Sequence, residues 1–550
     1  MKKGIIAAAA LLVGGAFWAT AQNLNPTVEV TNLYEREATG IEKPSQLMEM
    51  PDSVLKFNLD FDYTVQTTPY KGSYEFKPYL VQLHPQPIPS REGYLWVRAG
   101  AGYSFHPQFS AVWTPVQKNN FRLNLYGDHY SYMGHYRHIV LKDSYLIADD
   151  NKRSGVDARS ALGANVLLAW DGGQFSADAQ YKNITGTALN LYGGQADHSN
   201  NIVQFKARVK SIPDATLAYE VGTRVSYLGT QGEFREWHTV SDAAIGTRFA
   251  GVNHLRLGMS METVSNNFGF MGNLAAMPHY LLTLGGFNLD LGIKVSYMFR
   301  SDGGFYPSKS DFIFPDAYMS YEVVPDALIL QAAATGGDNP LVYSDHIESN
   351  PFFVQDVRTM DNSVERFNLM GGARGTVWAR MHYNLKVGYS LWKNGFLYGC
   401  TANTPIYYNS QYDHAPAYGR LPYYHQFYTD LKLGWASEVI DADGHLLIRK
   451  TTIEDDWLFA PPVVSGSVKA LYSWGGRVKA GVLLEGQTER YARRAIVPGF
   501  VDLGLYAELQ MTRSLGFWLR AGNLLNQTIQ RVPFYAEKGI WFSVGAQLNL

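Results

Sequence analysis

The chain ends with Ile540-Trp541-Phe542-Ser543-Val544-Gly545-Ala546-Gln547-Leu548-Asn549-Leu550, in which apolar residues alternate with polar or small ones up to the terminus. Side chains of a β-strand point alternately to opposite faces, so this pattern predicts a strand with one continuous apolar face. In water, the open edge of such a strand would recruit other chains. In lipid, a closed barrel pairs every backbone group. The ending therefore predicts the closing strand of a transmembrane β-barrel.

The first residues have the features of a secretory signal peptide. Lys2 and Lys3 precede an apolar run over residues 4–18, and Ala19-Thr20-Ala21 follows it. This arrangement predicts that residues 1–21 are a signal peptide cleaved before Gln22. The run is shorter than the roughly 20 apolar residues of a membrane-spanning helix, and no later stretch approaches that length. We therefore expect an exported protein without membrane helices.

Composition narrows the function classes. Aromatic residues make up 14% of the chain and charged residues 17%, against roughly 25% charged residues in soluble domains. The net charge of −2 argues against a nucleic-acid-binding surface. Cys400 is the only cysteine, which excludes an intrachain disulfide and a thiolate-rich metal site. We expect no cofactor.

Short turns and longer polar segments alternate from Tyr94 onward. The longer segments include residues 134–154, 265–276 and 338–362. The predicted short turns, most of which contain Gly, Asn, Pro or Asp, are 117–120, 171–173, 213–214, 251–254, 325–326, 379–380, 441–444, 474–476 and 512–514. Short periplasmic turns and long extracellular loops are typical of outer-membrane barrels, so residues 93–550 are predicted to form an antiparallel barrel of about 22 strands.

Alternation is also readable within the predicted strands. Leu217 and Val221 share one face of their strand, and Val501, Leu505 and Leu509 share one face of theirs. We expect these apolar faces to contact lipid and the polar faces to line the lumen. A soluble all-β protein such as a propeller or sandwich is the alternative, but such proteins lack the asymmetry between long and short loops.

A motif near the C terminus points to a family. The segment Ala521-Gly522-Asn523-Leu524-Leu525-Asn526-Gln527 resembles the asparagine–leucine–phenylalanine–asparagine signature of TonB-dependent receptors. Val532-Pro533-Phe534-Tyr535 and Lys538-Gly539 look like the family's last loop and the glycine before its final strand. The resemblance implies a 22-stranded barrel that imports scarce nutrients. It also implies that an inner-membrane motor supplies energy by pulling on an N-terminal plug.

The N-terminal side departs from that family pattern. Residues 22–92 are about half of what the folded plug of the family occupies, so we expect an extended, proline-rich periplasmic or lumenal segment instead. Thr27-Val28-Glu29-Val30-Thr31 resembles the motif that pairs such receptors with TonB. Physically, it is an extended stretch able to join a partner sheet, or a chance run in a tail. The whole segment is a reduced plug, a partner-docking region or a linker.

Few residues form a pattern typical of catalysis or metal binding. His135 and His138 share one polar segment with Asp143, Asp149 and Asp150, which we interpret as a solvated loop because nothing fixes a nucleophile–base pair. The turn-like Asp441-Ala442-Asp443-Gly444 lacks the glutamate of a calcium loop and is predicted to be a hairpin turn. We expect no catalytic and no metal site.

Extracellular tyrosines are the remaining candidates for recognition. Tyr407, Tyr408 and Tyr412 lie in an aromatic-rich segment, where tyrosine suits both ligand contact and packing. We therefore expect an outer-membrane barrel, not an enzyme, that contacts lipid and carries an unidentified solute. TonB or another periplasmic protein would bind residues 22–92. A non-transporting subunit or scaffold of an outer-membrane assembly is the alternative.

Overall fold

The structure, a computed structural model, describes residues 94–550 apart from 104, 190–194, 213–214, 216, 232, 250–252, 302–311, 351–361, 394, 402–403, 410–422, 454–458 and 493–494. Thr27 to Thr31, Tyr412 and the predicted segments 1–21 and 22–92 lie outside the described residues.

The described chain is built almost entirely from antiparallel strands. In chain order, the elements are β1 (Leu95–Gly102), β2 (Gln108–Lys118), β3 (Phe121–Lys142), β4 (Tyr145–Trp170), β5 (Gly173–Leu189), β6 (Gln195–Ser211), β7 (Leu217–Thr230), β8 (Arg235–Phe249), β9 (Asn253–Asn266), β10 (Gly269–Leu284), β11 (Phe287–Arg300), β12 (Ile313–Val324), β13 (Leu328–Pro340), α1 (Tyr343–Ser349), β14 (Asn362–Val377), β15 (Met381–Lys393), β16 (Phe396–Thr401), β17 (Thr404–Asn409), β18 (Tyr423–Ala436), β19 (Ile440–Ile453), β20 (Val464–Trp474), β21 (Val478–Gln487), β22 (Arg490–Ala492), β23 (Ala495–Val497), β24 (Phe500–Gln510), β25 (Leu515–Gly522) and β26 (Trp541–Asn549).

Within the described residues, 22 strands form one closed barrel. The exceptions are two small hairpins, β16–β17 and β22–β23, which lie in connections between barrel strands. Every barrel strand pairs with its neighbour along the chain, and β1 pairs with β26. The predicted fold class and strand number are confirmed.

The barrel closes at the strand that the C-terminal sequence predicts. Val97 lies opposite Leu548, and the Leu550 amide donates to the Leu95 carbonyl at 2.8 Å. Phe542 and Val544 point outward and are each 50% exposed, whereas Ser543 is fully buried. Since the sequence continues this alternation through the strand, one face of β26 is presented to lipid.

The outer surface carries aromatic residues at both ends of the strands. Trp113, Trp170 and Trp474 are exposed near the short turns, and Trp237 and Tyr297 near the opposite end. Two aromatic belts separated by an apolar band mark the two interfaces of a membrane. The protein is an integral barrel of the outer membrane. No helix in the described ranges is long and apolar enough to cross a membrane.

One predicted short turn is wrong. Asp441, Asp443 and Gly444 lie inside β19, and the turn is formed by residues 437–439. The Ser437 hydroxyl accepts the amide of Ile440 at 2.9 Å and closes this turn without glycine or proline. Asp443 instead lies opposite Lys469 of β20, a cross-strand pair of opposite charge. A further short turn, Gly285-Gly286, was not predicted from the sequence.

Two predicted long loops are also wrong, because strands extend through them. β3 and β4 are 22 and 26 residues long and meet at Asp143 and Ser144. A tilted transmembrane strand needs only about 9–11 residues, so this hairpin projects beyond the membrane on the long-loop side. Residues 265–276 likewise belong mainly to β9 and β10.

Candidate functional site

The connection between β13 and β14 folds back along the inner wall of the barrel. We call residues 341–350, which include α1, the lumenal strap. At its base, the Ser296 hydroxyl on β11 lies 3.4 Å from a carboxylate oxygen of Asp338, and the Asn273 side-chain amide on β10 donates to the Asp338 carbonyl at 3.5 Å. At its far end, Lys182 on β5 contacts Glu348. The strap therefore runs across the inner wall from β11 to β5.

Apolar contacts hold the strap against the wall. Ile347, Tyr343 and Leu341 share one buried cluster with Phe234 and three residues of β5 to β7, namely Ile184, Ile202 and Leu228. The Tyr343 ring meets the Phe234 ring edge to face at 4.9 Å. Full burial of one such side chain contributes about 1.5–3 kcal/mol. This apolar contact accounts for the inward position of a segment that the sequence predicted as an extracellular loop.

Polar contacts fix the register of the strap. Glu236 on β8 is 1% exposed, and its two carboxylate oxygens accept the amides of Tyr343 and Ser344, each at 3.0 Å. Lys182 donates to both oxygens of Glu348 at 2.9 Å. Because the amides at a helix start lack partners within the helix, Glu236 satisfies two donors that would otherwise be buried unpaired.

The strap carries a buried histidine. His346 lies on α1, and burial lowers its pKa to about 4. At neutral pH the docked strap therefore holds His346 uncharged.

A second ordered segment, the C-terminal loop, comprises residues 523–540. The Asn523 side chain accepts the Gln527 amide at 2.9 Å and donates to the carbonyls of Gln527 and Lys538 at 2.9 and 3.3 Å. Asn523 and Asn526 adopt positive φ angles of 48° and 52°, a region that asparagine tolerates better than most residues. The asparagines of the sequence motif thus shape the loop backbone.

Charged and apolar contacts attach the C-terminal loop to neighbouring elements. Arg531 pairs with Glu485, Asp502 and Glu537. Arg137, on the projecting β3–β4 hairpin, donates to the Thr528 hydroxyl at 2.6 Å. A buried apolar cluster joins the loop, this hairpin, β23 and the segment before β20; its members are Ile139, Leu146, Phe459, Ala495, Val497, Phe534, Tyr535 and Ala536.

The end of the C-terminal loop places an amine among aromatic rings. The Lys538 ammonium nitrogen lies 4.0 Å from the Trp541 ring centre and 4.8 Å from that of Tyr130, and it contacts the Tyr130 hydroxyl. It is also 3.3 Å from Nε2 of His106. Burial lowers the pKa of Lys538 to about 7, and burial together with Lys538 lowers that of His106 to about 3.

The structure describes only some of the candidate residues that were predicted from the sequence. Tyr407 and Tyr408 lie on β17, opposite Tyr398 and Leu397, and their side chains are outside the described set. His138 Nδ1 lies 2.8 Å from Asp149 on the β3–β4 hairpin. Among the described residues, no group of three His, Cys, Asp or Glu side chains could hold a metal ion.

The sequence did not predict the strap or the contacts that attach the C-terminal loop. The one signal for the strap is Leu341-Val342-Tyr343 with Ile347, an apolar group within a segment otherwise assigned to solvent.

Neither protein-family models nor curated proteins match the chain. Solved structures match its fold. The ferric-catecholate import receptor Fiu of E. coli K12 aligns with a TM-score of 0.58 at 10% identity, over 83% of this chain and 81% of its own. The FrpB iron transporter from Neisseria meningitidis gives 0.61 at 9% identity, over 83% and 82%. The siderophore receptor PiuA from Acinetobacter baumannii gives 0.59 at 8% identity, over 83% and 81%. The chain has the 22-stranded barrel fold of TonB-dependent receptors.

Proposed function

We propose that this protein passes a solute across the outer membrane through the barrel lumen. The observation that carries the proposal is the closed 22-stranded barrel, whose buried positions include polar side chains such as Asn273, Gln331 and Ser543. Barrels with 16 or more strands enclose a channel or a plugged lumen rather than a side-chain core. Fiu, FrpB and PiuA are described as an import receptor, an iron transporter and a siderophore receptor, so iron chelates are the first solutes to test.

Residues 22–92 are the proposed control element of this passage. β1 begins at Leu95, at the end of the barrel where the short turns lie. We propose that the segment before β1 acts from the periplasmic side, where TonB would reach it. We propose that Thr27 to Thr31 pair with TonB by strand addition, in which main-chain hydrogen bonds supply the affinity.

The test is deletion of residues 22–92 behind the intact signal region. Iron-chelate uptake in cells and single-channel conductance in planar bilayers are then compared with the full chain. We expect uptake to fall and conductance to change. Unchanged values in both assays would remove residues 22–92 from the transport mechanism.

A point variant separates TonB pairing from other roles of the segment. Val28→Pro removes a backbone donor needed for strand addition, and Glu37→Pro places the same residue outside the motif. Loss of uptake only in Val28→Pro supports pairing through this stretch, whereas equal uptake in both variants contradicts it.

A non-transporting subunit of an outer-membrane assembly is the second candidate. The projecting β3–β4 hairpin, tied to the C-terminal loop by Arg137, favours it because this hairpin extends further than membrane crossing requires. Purification in mild detergent at native expression would yield a stable partner. Recovery of this chain alone would count against the assembly role.

A further inference from the structure

We propose that Arg98 and Arg520 form a binding site for an anionic group, a carboxylate or a phosphate, on the inner wall of the barrel beside its closing seam. The site holds the charged group of a solute on its way through the lumen. The inference rests on the proposed passage and adds the charge class of the solute to it.

The two arginines lie on the inner faces of strands at the seam. Phe517 and Leu519 on β25 are exposed on the outer face, so Arg520, one residue further along, points inward. Arg98 on β1 lies opposite Gln547 of β26, which is buried on the inner face. Both arginines are partly exposed, as a residue that binds a solute must be.

Two aromatic rings position the guanidinium groups. The central carbon of the Arg98 guanidinium lies 4.4 Å from the centre of the Trp518 ring and 5.9 Å from that of Tyr506. For Arg520 these distances are 5.9 Å and 5.5 Å. A guanidinium has its N–H donors in its own plane, where they match the oxygens of a carboxylate or a phosphate. Contact through the face of the group does not use that edge.

Backbone glycines fix the position of the Trp518 ring. A Cβ atom at Gly100 on β1 or at Gly545 on β26 would overlap this ring, so the indole lies directly against the two strands. Its nitrogen is buried and has no hydrogen-bond partner in the described part of the chain, although a buried tryptophan usually has one. We therefore attribute the position of Trp518 to its ring contacts, among them the contact with Arg98.

The described contacts of the site carry more positive than negative charge. Glu508 on β24 supplies a carboxylate, whose two oxygens accept the Gln547 side-chain amide and the Tyr506 hydroxyl. One carboxylate thus accompanies two guanidinium groups. Two like charges held near the same pair of rings repel each other. An anion that accepts hydrogen bonds from Arg98 and Arg520 relieves this repulsion.

Calorimetric titration of the full chain in nanodiscs of zwitterionic lipid tests the site. The probes are citrate for carboxylates and inorganic phosphate, with glycerol as the uncharged control and empty nanodiscs as the blank. We expect saturable binding of at least one anionic probe at low ionic strength, weakened by added KCl because salt screens the charges. Absence of saturable binding for both anions would overturn the proposal.

Variants locate the binding. Arg98→Gln and Arg520→Gln each remove one charged, forked donor, and each should weaken binding of the anion about ten-fold. Arg98→Lys keeps the charge but loses the fork, so it should also bind more weakly than wild type. Arg224→Gln is the matched control, because Arg224 lies on the inner face of β7 with no ring contact among the described residues.

The control decides between a site and a general effect of charge. Equal binding in all four variants, or the same weakening in Arg224→Gln as in Arg98→Gln, would contradict the proposal. Heat-dependent gel mobility shows which variants are folded, and Arg520→Gln decides if Arg98→Gln does not fold. Binding is measured at equilibrium without uptake. Intact uptake with no anion binding would therefore refute this site alone, whereas anion binding without uptake would refute the passage.

Discussion

Asn523 illustrates how one side chain orders a whole loop. Its amide makes three hydrogen bonds within residues 523–540, and its backbone has a φ of 48°. Both properties suit asparagine, whose short polar side chain bonds locally and tolerates the left-handed region. The sequence motif is therefore explained by loop geometry.

Replacement of Asn523 separates these two contributions. Asn523→Gly removes the hydrogen bonds but keeps backbone freedom, whereas Asn523→Ala removes the bonds and adds strain at positive φ. We expect both variants to loosen the loop, with Asn523→Ala less stable by about 1 kcal/mol. Limited proteolysis within residues 523–540 measures the difference. Identical cleavage rates for the two variants would show that the positive φ is not maintained.

Lys538 gives the C-terminal loop a pH dependence. The pKa of the docked amine is about 7, against 10.5 for the free amine. Between these two pKa values the released loop binds more protons than the docked loop. The free energy that favours the docked loop therefore increases with pH, by up to about 1.4 kcal/mol per pH unit, and does not change with pH below about 7. Lys538→Met should remove the slope. Thermal unfolding from pH 7 to 10 provides the measurement, and an unchanged slope in the variant would exclude Lys538 as its source.

Strands and connections differ in how directly sequence specifies them. β26 follows its alternating pattern, because each side chain faces either lipid or lumen and no third environment exists along a barrel wall. No comparable alternation between two environments predicts the position of the strap. It was predicted to lie in an extracellular loop, but its apolar residues pack on β5 to β10.

The two faces of β26 should respond differently to a charge. Val544 faces lipid near the middle of the strand, and Gln547 is nearly buried on the inner face near Glu508. Val544→Lys should destabilise the barrel by about 2–4 kcal/mol, as lipid-facing lysines do at the bilayer midplane. Gln547→Lys should cost clearly less. Urea unfolding in lipid vesicles measures both, and equal losses would contradict the assigned faces.

Two separate sets of contacts hold connecting segments in place on the long-loop side of the barrel. The strap covers the wall from β5 to β11, and the C-terminal loop packs with the β3–β4 hairpin and β23. Meanwhile, all 22 strands and the seam between β1 and β26 lie within residues 95–549. The ring of strand pairings is therefore complete within residues 95–549.

This arrangement predicts that the barrel assembles without its N-terminal segment. A chain of residues 93–550 behind the signal region should reach the outer membrane and show the heat-dependent gel mobility of a folded barrel. Its unfolding midpoint should lie close to that of the full chain. Failure to fold would mean that residues 22–92 are needed for assembly, and the uptake test would then require point variants only.

The sequence alone specified the barrel, its strand number, its closing strand and the family that it resembles. Those features follow from a period-two pattern and a local motif, and both can be read within a few residues. The turn at 437–439 is closed locally by Ser437 and Ile440, without the glycine or proline on which the turn predictions relied. The length of β3 and β4 and the inward strap depended on contacts between residues far apart in the chain. Glu236 and Ser344 are one example, and Arg137 and Thr528 are another. No periodicity encodes such pairs, because their partners are set by which walls and loops the closed barrel brings together.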